Sequence, residues 1–123
     1  MKVLLVDDEK ELVSTLAQRL GFRGIEADWA ATPQEAIALL DQNHYDIAVL
    51  DVQMPGMDGF ELKEKLESAA PHMAFIFITG HGSEECYHIG CSKAGEAYYL
   101  VKPVDIDSLV EKLNSLKDKG ETK

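Results

Sequence analysis

Short, almost unbroken apolar runs alternate along the chain with segments whose apolar residues recur every three or four positions. The runs are residues 3–6, 24–29 (weaker), 47–50, 74–78 and 97–101, of which 3–6, 47–50 and 74–78 are apolar almost throughout. Runs of this length without polar alternation predict strands covered on both faces, as in a parallel sheet. Between them, Leu12, Val13, Leu16 and Leu20 predict a first helix, and Ala36, Ile37, Leu39 and Leu40 a second. Phe60, Leu62 and Leu66 mark a third, and Ile106, Leu109, Val110, Leu113 and Leu116 give a 3.6-residue stripe for the last. Thr32-Pro33-Gln34-Glu35 is a helix start: threonine as N-cap, proline at the first helical position, glutamate three residues after the cap.

One segment fits poorly. Residues 83–93, "SEECYHIGCSK", have scattered apolar positions and contain Gly90, which predicts a short or frayed helix. The final periodicity ends at Leu116. We therefore expect one folded domain over residues 1–117 and a polar C-terminal tail over 118–123. The sum is an α/β protein: (βα)5, a doubly wound, five-stranded parallel sheet with helices on both faces.

Composition sets bounds on this picture. The 123 residues are 46% hydrophobic and 28% charged, a mix typical of one globular domain. The formal net charge of -10 argues against direct nucleic-acid or anionic-membrane binding and favours a cation. The amino-terminal apolar run is only four residues long before two acids, too short for a signal peptide, and no stretch approaches a membrane span. Cys86 and Cys91 make no disulfide framework, so we expect a cytoplasmic protein with free thiols.

In doubly wound sheets the functional crevice lies beyond the carboxyl ends of the strands. After the first strand come Asp7 and Asp8. After the third comes Asp51, and after the fourth Thr79, followed by Gly80-His81-Gly82. After the fifth come Lys102 and Pro103. Four separate segments thus bring three carboxylates, one hydroxyl and one ammonium to one edge. A strand that ends on a carboxylate needs a compensating partner, because a buried charge is costly alone.

Taken together, "LLVDDE", "VLDVQMPGMDG", "FITGHG" and "YLVKP" resemble the signature segments of the two-component response-regulator receiver domain. The resemblance covers about residues 1–117 and implies the flavodoxin-like strand order 2-1-3-4-5. It implies Asp51 as phosphoacceptor, phosphorylated by a sensor histidine kinase or a phosphotransfer protein. It implies Mg²⁺ as cofactor, held directly by Asp8 and Asp51, by Asp7 directly or through water, and by the backbone carbonyl of Gln53. Mg²⁺ is a hard ion that takes one or two carboxylates and phosphate oxygens. Lys102 would neutralise phosphoryl charge, Thr79 would hydrogen-bond a phosphoryl oxygen, and a cis peptide would precede Pro103. Tyr99, three residues before the lysine, would turn inward as Thr79 moves, changing the surface over about residues 84–116. No enzyme activity is implied beyond Mg²⁺-dependent self-phosphorylation and autodephosphorylation. The expected partners downstream are an output protein or an attached output domain, and a phosphorylation-dependent dimer is compatible with the pattern.

The chain departs from the family pattern between Thr79 and Lys102, which are one residue further apart than expected. Gln53 and His81, two residues after Asp51 and Thr79, stand where the family varies and tunes phosphoryl lifetime. Other readings compete with parts of this one. Asp8 with Glu11 could cap the first helix. Asp58 and Gly59 read as cap and turn for the third helix, and Trp29 as packing or a surface aromatic. His81, Cys86, His88 and Cys91 lack the ligand spacing of a zinc site. An aspartyl-nucleophile phosphatase would carry a second aspartate where Gln53 stands. A receiver-like binding module without phosphorylation would not need the full residue set. A flavodoxin-like cofactor binder would need a phosphate-cradling loop after the first strand.

Overall fold

Burial on both faces explains why the central strands carry no polar alternation. In the computed structural model, which describes residues 1–52, 59–79, 99–101 and 104–121, only the backbone is described at Thr79, Tyr99, Val101 and 117–121. The elements are β1 (Lys2–Val6), α1 (Lys10–Phe22), β2 (Glu26–Ala30), α2 (Pro33–Gln42), β3 (Ile47–Asp51), α3 (Gly59–Ala69), β4 (Ala74–Thr79), β5 (Tyr99–Val101) and α4 (Ile106–Glu121). All pairings are parallel, and the strand order is β2-β1-β3-β4-β5.

Successive strand residues point to opposite faces, and each face has its own core. Val3, Leu5, Ile47, Val49, Ile76 and Ile78 pack with Val13, Leu16 and Leu20 of α1 and with Leu109 and Leu113 of α4. Leu4, Val6, Ala48, Leu50, Phe75 and Phe77 pack with Ala36 of α2 and with Phe60, Leu62 and Leu66 of α3. The (βα)5-type, doubly wound sheet expected from the sequence is therefore present. Among the described residues no helix is long and apolar enough to cross a membrane.

Local signals explain the element ends. Thr32 caps α2: its hydroxyl oxygen accepts from Glu35 N at 3.1 Å, and Glu35 Oε2 accepts from Ala31 N at 3.1 Å. This satisfies amides that a helix start leaves without a partner in the helix. Gly24, expected inside the second strand, instead closes α1 with φ at +80°. Its amide donates to Gly21 O at 3.1 Å, and Ile25 N donates to Leu20 O at 2.9 Å, a Schellman closure that needs a left-handed residue. That closure moves the strand start to Glu26. The third and fourth strands each run one residue further than expected, to Asp51 and Thr79. The α4 backbone runs to Glu121, so most of the polar stretch after residue 117 continues the helix. Segment 83–93, with Cys86, His88, Gly90 and Cys91, lies outside the described residues, as do His81, Ala97 and Tyr98.

Candidate functional site

Sheet register brings the carboxylates together. Val6 of β1 is paired with Ala30 of β2 and with Leu50 of β3. The next residues along, Asp7 and Asp51, are therefore neighbours on adjacent strands. The ladder persists at this edge: Asp7 N donates to Ala30 O at 3.2 Å, and Val52 N donates to Ile78 O at 2.9 Å.

Both side chains are sunk into the protein: Asp7 and Asp51 are each only 2% exposed. Asp8, one residue on, is exposed. One carboxylate oxygen from each of Asp7, Asp8 and Asp51 lies within 4.8 Å of the others. The structure thus brings together three of the four residues expected to hold a cation. The fourth, Gln53, lies outside the described residues, as do Lys102 and Pro103. Thr79 and Tyr99 are placed through their backbones, as the last residue of β4 and the first of β5, with Thr79 paired to Val101 and Tyr99 to Phe77.

Local contacts separate the roles of the two N-terminal aspartates. Asp7 Oδ1 accepts from Glu9 N at 2.9 Å, which ties its carboxylate to the loop entering α1. The N-cap of α1 is Glu9, with no side-chain capping bond. Asp8 is therefore not the cap that its spacing to Glu11 allowed, and its carboxylate projects at the cluster's exposed side.

Gly59 was legible in the sequence only as a turn residue. It is the buried first residue of α3, and its amide donates to Val52 O at 3.0 Å. A β-carbon built on it would sit 2.5 Å from the Asp51 carbonyl oxygen, 3.1 Å from Asp51 C and 3.1 Å from Val52 Cα. Real β-carbons do not approach backbone so closely, so glycine is needed here for space. No local signal in the sequence announces this contact, because it is tertiary.

The donor set fits a hard divalent cation. Two buried carboxylates with oxygens within 4.8 Å of one another repel, and burial strengthens the repulsion by lowering the local dielectric constant. A cation between them converts that repulsion into attraction. Oxygen-only ligands with one carboxylate open to solvent suit Mg²⁺, which retains several waters, and do not suit the thiolate and imidazole sites of zinc.

Residues 3–114 match the family described as "Response regulator receiver domain". Among curated proteins, the chain is 32% identical over 120 residues to the transcriptional regulatory protein TcrA of Mycobacterium tuberculosis, covering 98% of this chain and 47% of that protein. It is 34% identical over 116 residues to the two-component response regulator PhoP of Pseudomonas aeruginosa, covering 94% of this chain and 51% of that protein. The chain thus spans about half the length of these curated relatives. Among solved structures, a CheY-like response regulator receiver domain protein from Methanospirillum hungatei JF-1 superimposes with a TM-score of 0.86 at 34% identity, covering 98% of this chain and 96% of that one. A Francisella response regulator receiver domain gives 0.82 at 33% identity, covering 99% and 98%.

Proposed function

The chain belongs to the response-regulator receiver family, and from that premise we propose that it is a phosphoacceptor switch of a two-component system, with Asp51 as the acceptor. The observation that carries this reading is the carboxylate cluster at the carboxyl edge of the sheet, with Asp51 at the end of β3 and one oxygen of each member within 4.8 Å.

In the proposed reaction a carboxylate oxygen of Asp51 attacks the phosphorus of a phosphohistidine on a sensor kinase or phosphotransfer protein. The new O–P bond forms as the P–N bond breaks, and the departing imidazole keeps the bonding pair and takes a proton from solvent. Catalysis of such transfers is mainly positioning and charge neutralisation. When bound, Mg²⁺ supplies neutralisation of phosphoryl oxygens, and Asp8, Asp51, Asp7 and the carbonyl of Gln53 are the residues assigned to hold it. Asp51 is the last residue of β3, so its main chain is fixed by the sheet. Lys102 is assigned the remaining oxygen charge, as a point-charge ammonium suits a phosphoryl group. Thr79 is assigned a hydrogen bond to the product, and Tyr99 the rearrangement that follows. The signalling surface is then residues 84–116, read by a separate output protein or by an attached output domain. The reactions of the domain itself are self-phosphorylation and autodephosphorylation.

Intact mass after incubation with acetyl phosphate tests this. We expect one phosphoryl group gained with Mg²⁺, none without it, and none in Asp51→Asn. Single-site labelling that persists in Asp51→Asn overturns Asp51 as acceptor. A wild type that neither labels nor binds beryllofluoride points to a binding module that works without phosphorylation. Lys102→Ala should fold and bind Mg²⁺ but lose most of the transfer rate; a wild-type rate removes Lys102 from the mechanism.

A further inference from the structure

The start of α3 presses on the main chain of the acceptor. Three backbone atoms, Asp51 O, Asp51 C and Val52 Cα, line the space where a side chain at position 59 would begin. The peptide joining Asp51 and Val52 is held from two directions: Val52 N donates to Ile78 O of β4 at 2.9 Å, and Val52 O accepts from Gly59 N at 3.0 Å. The helix cannot simply retreat. Its second residue, Phe60, is buried against Phe77 of β4 with ring centroids 4.8 Å apart, and Leu62 and Leu66 are sunk in the same core. The φ of Gly59 is not in the left-handed region, where Gly24 alone is found among the described residues. Glycine is therefore required at position 59 by proximity and not by backbone conformation.

We propose that Gly59 is a positioning residue for Asp51. Its missing β-carbon lets α3 seat against the Asp51–Val52 peptide, and that seat fixes where the Asp51 carboxylate meets those of Asp7 and Asp8. The role rests on Asp51 being the phosphoacceptor, as read above. Gly59 touches neither cation nor phosphoryl group; it acts through the acceptor's main chain. A displacement of about an ångström at a reacting carboxylate is enough to cost a large factor in rate. A β-carbon 2.5 Å from a carbonyl oxygen demands a shift of that size.

The test compares Gly59→Ala with Leu66→Ala. The second variant opens a cavity in the same helix and core, away from the acceptor, and serves as the control for lost stability. Mn²⁺ binding is read by electron paramagnetic resonance, and the labelling rate with acetyl phosphate by intact mass, at a temperature where circular dichroism shows both variants folded. We expect Gly59→Ala to lose at least about tenfold in Mn²⁺ affinity and in labelling rate, and Leu66→Ala to stay within about twofold of wild type in both. Gly59→Ala within twofold of wild type, or no worse than Leu66→Ala, overturns the proposal. A wild type that takes no phosphoryl group overturns the acceptor assignment and this role with it. If Gly59→Ala does not fold, amide hydrogen exchange in the wild type decides. Loading with Mg²⁺ and beryllofluoride should slow exchange at the Gly59 amide by about tenfold, and an unchanged Gly59 amide overturns the proposal.

Discussion

Acidic side chains gather at both ends of this sheet, and the two gatherings are built differently. At the amino end, Lys2 stands among them: its ammonium lies 3.5 Å from Glu26 and 3.8 Å from Asp28 and donates to Asn43 Oδ1 at 3.1 Å. The Lys2 amide donates to Asp46 Oδ2 at 2.8 Å, and Tyr45 Oη donates to Asp28 Oδ2 at 2.7 Å. The ammonium also stands 5.3 Å from the centre of the Tyr45 ring. Each of these carboxylates is answered by a fixed neighbour on an adjoining strand or loop. At the carboxyl end, Asp7 and Asp51 are buried beside the exposed Asp8. In the proposed function part of the charge that answers them is an ion that arrives and leaves, beside the ammonium of Lys102. A cluster of acids is thus not a site by its charge count. On that reading, what distinguishes the two ends is that part of the balancing charge at the carboxyl end is exchangeable, whereas at the amino end it is built into the sheet.

The largest expected effect comes from removing a charge at the carboxyl end. Asp7→Asn keeps a side-chain oxygen to accept the Glu9 amide but removes a negative charge from the cluster. We expect Mn²⁺ affinity and Mg²⁺-dependent labelling to fall by about tenfold or more. Without metal, stability should rise by about 1–2 kcal/mol, because the repulsion with Asp51 is relieved. Thermal unfolding with and without Mg²⁺ checks both: the ion should raise the wild-type midpoint and barely move that of the variant. A variant less stable than wild type without metal, yet still stabilised by Mg²⁺, would mean that this end is a structural clasp like the other.

The same contrast shows what the chain discloses before folding. Strands β1, β3 and β4 were legible because burial on both faces strips them of polar residues. The start of α2 was legible because Thr32, Pro33 and Glu35 act within four residues. The second strand starts later than its apolar pattern suggests because the positive φ of Gly24 ends α1; a helix stop and a strand start compete for the same residues, and an edge strand with Trp29 39% exposed gives a weak apolar signal. Asp7, Asp8 and Asp51 could be assigned to one edge from the strand order of events, but their adjacency depends on the pairing of Val6 with Leu50. The closeness of Gly59 to the Asp51 carbonyl was not legible, because packing of α3 on β4 creates it.

A smaller effect is expected at the amino end from Tyr45→Phe. The ring is 4% exposed, and the change deletes only the hydroxyl that donates to Asp28. A cost of about 1–2 kcal/mol is expected, since the hydrogen bond is to a charged group. Its pH dependence has a definite sign. Burial, followed by the hydrogen bond and charge of Asp28 and the charge of Glu26, raises the Tyr45 pKa above the ordinary 10.0. The folded state therefore holds this proton more tightly than the unfolded state. The contribution is complete below pH 10 and is lost as pH rises further, toward the folded value. Denaturant unfolding between pH 9 and about 11 should show wild-type stability converging on that of Tyr45→Phe. Parallel pH profiles would mean that the phenol is not held by Asp28 in solution.

The smallest effect belongs to Lys2→Met, which keeps an apolar stem under the clasp and removes its ammonium. The partners are partly open to water, with side-chain exposures of 28% for Lys2, 68% for Glu26 and 39% for Asp28. Solvent screening therefore limits the loss to about 1 kcal/mol or less, and added salt should shrink it further. The variant also measures how independent the two ends are. Asp7 lies five residues along the extended strand from Lys2, about 16 Å at the usual rise. That is roughly twice the screening length at physiological salt. Mn²⁺ affinity at the carboxyl end should therefore stay within about twofold of wild type at 0.15 M salt. It should rise slightly only at low salt, where removing a distant positive charge is felt. A tenfold change at physiological salt would show that the two acidic clusters share one charge network through β1, and that a built-in clasp at one end sets the cation affinity of the other.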